Sequence, residues 1–240
     1  MANNILDNPA IWRASALHQQ QSLNSGKHMS QGIDTGFPML NDKLADAGWP
    51  ANGVTEILYD RQGEGEISLL LPALRRLSEV DKWIVWIAPP HCLHGPALAA
   101  AGINIQRMLL VHPHANTSSG KRKGKDSLWC TEEAIKSGAA SAVLSWPGLV
   151  KPEQVRRLQI IAAQQRTPCF LFRENGAAAT PCALRVHVQG MDQEWISLSI
   201  LKRKRGWPTA PFKLQVRSCP VYRYRKQPPL LQQPLVATAV

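Results

Sequence analysis

From Gly53 onward, short apolar runs alternate with segments whose apolar positions recur at helical spacing. The runs are Val54–Tyr59, Trp83–Ala88, Met108–Val111, Ala142–Trp146 and Cys169–Phe172. Each is nearly continuous rather than alternating, the pattern of strands covered on both faces. Between them, Ser68–Ser78 carries leucines at 69, 70, 71, 74 and 77, Gly95–Ala101 is rich in alanine, and Leu128–Ser137 keeps its charges to one side. Pro152–Gln165 starts with proline in its first turn and sets Val155, Leu158, Ile161 and Ala162 on one stripe. This alternation predicts an α/β domain with a mostly parallel twisted sheet flanked by helices. Leu184–Val188 and Trp195–Leu201, separated by a polar turn with Gly190, read as a hairpin that extends the sheet antiparallel; Phe212–Val216 closes the domain.

The flanks have a different texture. Residues 1–31 are rich in Gln, Asn and Ser around one amphipathic stretch, Ala10–Leu17, whose Trp12 is a candidate partner contact on a loosely held helix. Residues 218–240 are rich in proline, lack acidic residues and read as a basic tail; Asn116–Asp126 reads as a surface loop for the same compositional reason. The expected organisation is an N-terminal helix and linker (1–31), an α/β domain (32–217) and a tail (218–240).

Composition narrows the picture. The 240 residues include 28 Lys+Arg against 17 Asp+Glu, a net charge of +11, with 44% hydrophobic residues and eight Trp. That suffices for a core and excludes wholesale disorder. The charge is local: nine Lys/Arg and no Asp or Glu lie between Trp195 and the C-terminus, which points to an anionic partner or a solvated tail. No apolar run approaches the roughly 20 residues of a membrane span, and the polar start lacks a secretory apolar region, so a cytoplasmic location is expected, with association with the nucleoid open. The five cysteines contain no CxxC pair; His91, Cys92 and His94 lie close together without a second ligand pair. No metal is expected.

In a parallel α/β domain, the loop after the first strand is where nucleotide phosphates bind. Here it runs Asp60-Arg61-Gln62-Gly63-Glu64-Gly65-Glu66-Ile67-Ser68. The placement suits a Walker loop, but Glu66 and Ile67 stand where Lys and Ser/Thr are needed, and Asp60, Glu64 and Glu66 would repel a triphosphate. The run Leu144-Ser145-Trp146-Pro147 ends without the carboxylate that holds Mg²⁺. Asp60, Gly63, Gly65 and Glu66 therefore mark a degenerate phosphate loop. No catalytic residue, cofactor or ATPase activity is expected.

Gly32–Asn41 and Gly48–Ile57 resemble the approach to the core of RecA-family recombinases, and Leu201–Lys204 with Ala210–Lys213 look like the Lys-x-Lys and Ala-Pro-Phe stretch near its end. Leu69–Leu74, Trp83–Pro89, the Ala100-Gly102-Ile103 step and Glu133–Gly138 are similar to the SulA cell-division inhibitors, RecA-like proteins without Walker residues. With Arg156-Arg157-Leu158-Gln159 and Leu201–Arg205, the chain most closely resembles the ImuA family, RecA-like accessory proteins of SOS-induced translesion synthesis.

The resemblance implies a RecA-like core and a non-catalytic scaffold in mutagenic lesion bypass. Its implied partners are an ImuB-like polymerase homologue, a DnaE2-type polymerase and RecA. Lys202, Arg203, Lys204 and Arg205, and Tyr222, Arg223, Tyr224 and Arg225, combine cations with aromatic residues and are candidate contacts to single-stranded DNA or a partner. The alternative implied by the SulA-like stretches is an inhibitor of cell division that binds the division tubulin homologue. The recombinase-like approach and the long basic C-terminus favour the bypass factor.

Overall fold

The computed structural model describes residues 32–113, 120–192 and 194–216, with the backbone alone for 120–125. Its elements are α1 (Pro38–Asn41), β1 (Val54–Tyr59), α2 (Leu71–Leu77), β2 (Trp83–Ile87), α3 (Gly95–Ala100), β3 (Met108–Val111), α4 (Gly120–Lys136), β4 (Ala140–Ser145), α5 (Pro152–Gln165), β5 (Cys169–Glu174), β6 (Leu184–Gly190), β7 (Trp195–Lys202) and β8 (Phe212–Gln215). The stretches 1–31 and 218–240, including Trp12 and Tyr222–Arg225, lie outside the described residues.

The strands form one sheet in the order β3-β2-β4-β5-β1-β6-β7-β8. From β3 to β6 all neighbours are parallel, whereas β7 runs antiparallel to β6 and β8 antiparallel to β7. β1 and β4 are buried along their whole length, as continuous apolar strands covered on both faces should be. One face carries Ile57, Trp86, Leu144 and Phe170 under α1, α2 and α3. The other carries Val54, Ile87, Val143 and Leu171 under α4 and α5. Before β1, the segments around Ile33 and Trp49 form a β-bridge. There a Cβ on Gly48 would lie 2.3 Å from the Ile33 carbonyl oxygen, so this close approach requires glycine.

Three expectations need correction. The basic stretch Asn116–Asp126 is not a loop throughout, because α4 begins at Gly120. Lys and Arg are good helix formers, so a basic stretch can open a helix as readily as a loop. Regular helix within Ser68–Ser78 is limited to Leu71–Leu77, with Pro72 in the first turn and the preceding residues in successive turns. β3 is an apolar run but an edge strand, pairing only with β2 among the described residues, and Leu109 and Leu110 are exposed.

Candidate functional site

Six connections, those after β1 to β6, lie at the C-terminal ends of the parallel strands. The connections after β1 and β2 carry α2 and α3 on one face, while those after β3 and β4 carry α4 and α5 on the other. Neighbouring strands β2 and β4 therefore send their chains to opposite sides. That divergence opens the crevice in which α/β sheets usually bind partners and ligands. Its walls are the loops 88–94 and 146–151.

The second loop is stiff. Trp146 stacks on Phe172, centroids 4.2 Å apart and 6° from parallel, and lies 5.9 Å from Trp86. The Trp146 amide donates to the Ile87 carbonyl at 3.1 Å, joining the ends of β4 and β2. Pro147 and Val150 are buried. At the far end Lys151 N–H donates to the Gln154 side chain at 2.9 Å, part of the cap that starts α5. Between these anchors Gly148 adopts φ 69° and Leu149 stands 97% exposed. An aliphatic side chain held in water by a rigid loop is poised to enter a partner's surface. Across the crevice His91 and Cys92 are exposed, and His94 caps α3 by accepting from Ala97 N–H at 3.2 Å. Among the described residues no group of three His, Cys, Asp or Glu is placed to hold a metal.

Beneath the loops lies a buried ionic cluster. Glu56 of β1 is fully buried; Arg173 Nη1 donates to its Oε1 at 2.7 Å, and Arg185 Nε lies 3.4 Å from its Oε2. The Cys182 thiol faces the same Oε2 at 3.6 Å. Each arginine also reaches a loop carbonyl: Arg173 donates to Val150 at 3.2 Å, and Arg185 to Ala178 at 3.0 Å and to Ala177. The cluster ties the loops after β4 and β5 to the sheet, so the position of Leu149 is set partly by a charge pair in the core. This cluster was missed in the sequence. The available signal was a charged residue inside each of three apolar strands, which only paired charges can occupy.

The glycine-containing loop after β1 folds on itself. Gly63 and Gly65 take φ 86° and 100°, and Gly63 N–H donates to Glu66 Oε1 at 2.9 Å, with Glu66 buried. A carboxylate of the loop thus occupies a backbone donor that a phosphate would use. Asp60 accepts from Asn175 Nδ2 at 2.7 Å and lies 3.1 Å from His187 Nε2. The Asn175 bond and then the His187 contact hold its carboxyl below the ordinary value despite partial desolvation. Burial, reinforced by Glu174 and Glu66, pushes the Tyr59 phenol up against the opposing Gln62 bond.

The basic run is split by the fold. Lys202 Nζ donates to the Thr180 carbonyl at 2.9 Å. Arg203 Nε donates to the Trp207 carbonyl at 3.1 Å, and its Nη1 to the Lys43 carbonyl. Lys204 and Arg205 point into solvent beside Trp207, which is 85% exposed. Lys202 pairs in register with Arg185, so this run is at the end of the sheet opposite Leu149.

Comparison with known proteins bears on residues 52–168, which match the family model described as cell division inhibitor SulA. The cell division inhibitor SulA of Pectobacterium atrosepticum is 27% identical over 150 residues, covering 62% of this chain and 84% of that protein. The SulA of Pectobacterium carotovorum is 29% identical over 146 residues, covering 60% and 82%. A crystal structure of SulA from Pseudomonas aeruginosa aligns at 27% identity with 50% of this chain and 98% of its own, with a TM-score of 0.39.

The chain thus contains a SulA-related stretch running from β1 to the start of β5. That match overturns the expectation of an accessory factor for lesion bypass. An ImuB-like polymerase homologue, a DnaE2-type polymerase, RecA and single-stranded DNA are withdrawn as partners on the same ground, because the named relatives are division inhibitors. The basic C-terminus and most of the recombinase-like approach, which favoured the bypass factor, lie outside the matched stretch.

Proposed function

We propose that this protein is a non-catalytic inhibitor of cell division of the SulA kind, made in the SOS response, which acts by binding the division tubulin homologue FtsZ. The observation that carries this reading is the match of residues 52–168 to the SulA family model. Those residues build β1 to β4, α2 to α5 and both walls of the β2/β4 crevice. The contact surface of this reading is that crevice, with Leu149 as its apolar anchor.

No nucleotide chemistry is part of the proposal. Its support is the Glu66 carboxylate on the Gly63 amide and the lack of an acidic residue at the end of β4, where Ser145 Oγ is instead 2.7 Å from Thr131 Oγ1. We read the core as RecA-like: a central β1 is followed by a glycine-containing loop and a helix, in a sheet whose connections change face between β2 and β4. Overproduction in growing, undamaged cells tests the function. Filamentous cells with division blocked are the expected result, and normal division at high protein levels would overturn the reading.

A further inference from the structure

The crevice wall after β2 starts at a strained residue. The peptide unit joining Ile87 to Ala88 is held from both sides: its carbonyl accepts from Trp146 N–H at 3.1 Å, and its N–H donates to the Val111 carbonyl of β3 at 2.9 Å. The Ala88 methyl is buried with Val85 and Ile87 on the α4/α5 face of the sheet. With the amide plane and the Cβ both fixed, the handedness of an L-residue leaves one direction for the chain to continue. Ala88 accordingly takes φ 52°, a left-handed conformation that glycine adopts freely and alanine only at a cost.

From that residue the wall is stiff. Pro89 and Pro90 follow, each with φ fixed by its ring. Pro89 is buried, Leu93 packs against the core on the α2/α3 face, and His94 ends the wall as the cap of α3. The left-handed turn thus carries the chain from the face where the Ala88 methyl lies to the face of α3. Glycine at position 88 would relieve the strain and let the two prolines swing as a unit, whereas alanine keeps the strain and holds the wall. Backbone strain fixed by its surroundings concentrates at functional sites, where it pre-organises the geometry a partner needs. The opposite wall is set independently, by Arg173 donating to the Val150 carbonyl next to Leu149.

We propose that Ala88 is a positioning residue for partner binding: its left-handed backbone fixes the wall Pro89–His94 and keeps the crevice open across from Leu149 before a partner arrives. The proposal rests on the reading that this crevice receives FtsZ. It adds that the partner enters a cleft already shaped for it, and that affinity therefore depends on a buried residue as well as on the exposed anchor.

Nitroxide labels on Cys92 and at Leu149→Cys, in the full chain with Cys130→Ser and Cys219→Ser, read the spacing of the walls by electron paramagnetic resonance. One narrow distance distribution is expected, and Ala88→Gly should broaden it about twofold or more. In the otherwise native chain Ala88→Gly should weaken binding to FtsZ about tenfold. Its melting temperature should move by no more than a few degrees, because relief of the strain offsets the lost methyl and the freer unfolded chain. Ala47, before β1 and outside the crevice, takes the same φ of 52°, so Ala47→Gly relieves like strain and should leave distribution and affinity unchanged. A distribution that Ala88→Gly leaves narrow, an affinity it leaves intact, or an equal effect of Ala47→Gly would overturn the proposal. The expected broadening in a chain that does not bind FtsZ would instead remove that partner and keep Ala88 as the residue that sets the wall, so the two failures give different results.

Discussion

Arg173 and Glu56 meet at 2.7 Å in the core, 4% and 0% exposed, on adjacent parallel strands. With Arg185 at 3.4 Å from the same carboxylate, one negative charge serves two positive ones. Removing it leaves two guanidinium groups buried without a counter-charge. Glu56→Ala is therefore expected to cost about 3–5 kcal/mol of folding stability, measured by urea denaturation. Replacing Glu56, Arg173 and Arg185 together by apolar residues of similar volume should cost much less.

Leu149 gives a separation of function from folding. Its side chain is 97% exposed, so Leu149→Asp should leave stability within about 0.5 kcal/mol of the parent. The same substitution should abolish filamentation on overproduction and weaken binding to FtsZ. A folded Leu149→Asp protein that still blocks division would remove this loop from the contact surface.

Acid should destabilise the fold through Asp34. Burial pushes its carboxyl up, but bonds from Asn41 and the Gly36 amide, together with Arg76, outweigh this and hold it below 3.8. Glu132 behaves alike: burial raises it, and Lys136 and Arg157 bring it below 4.5. A carboxyl lowered by folding contributes stability above its unfolded pKa and loses it as pH falls through the folded value. Thermal stability should be nearly flat above about pH 5 and decline below it. Asp34→Asn should lower the melting temperature at pH 7 and make the acid decline shallower.

The thiols should separate by burial. Cys92 is exposed on its loop, whereas Cys169 and Cys182 are buried. Burial pushes Cys169 up to about 12, and burial followed by the Glu56 charge raises Cys182. Since the thiolate is the reacting form, iodoacetamide followed by peptide mapping should modify Cys92 before Cys169 and Cys182. Cys169 and Cys182 should react only once urea unfolds the chain. Labelling of Cys169 as fast as Cys92 would contradict the packing of β5.

Calorimetry with ATP and Mg²⁺ should show no tight binding, because Glu66 already occupies the Gly63 amide. Glu66→Gln is expected to leave that result unchanged, since the ammonium and hydroxyl of a Walker loop are still missing. Tight binding by the parent chain would overturn the reading of the loop.

Strand and helix content was legible in the sequence because continuous apolar runs and helical stripes report burial directly, as in β1, β4 and α5. β6 and β7 were legible as an antiparallel hairpin from the short turn at Gly190, whereas Phe212–Val216 was read only as the end of the domain and forms β8 antiparallel to β7. β3 was misread as covered because an apolar run does not reveal whether it has one neighbour or two. The start of α4 was misplaced because Lys and Arg suit a loop and a helical turn equally. The carboxylate character of the loop after β1 was visible from Asp60, Glu64 and Glu66 alone, but the bond from Gly63 to Glu66 was not.

By itself the sequence determined an α/β domain with a glycine loop rich in carboxylates after its first strand and a basic C-terminal end, since periodicity and charge are properties of residues in order along the chain. Only the tertiary structure brought Glu56 to Arg173 and Arg185, separations of 117 and 129 positions in sequence. It alone placed Leu149 on a stiff loop at one end of the sheet and divided Lys202–Arg205 into two fasteners and two displayed cations at the other. The reason is geometric: strand order and the face taken by each crossover decide which distant residues become neighbours, and no local pattern encodes that order.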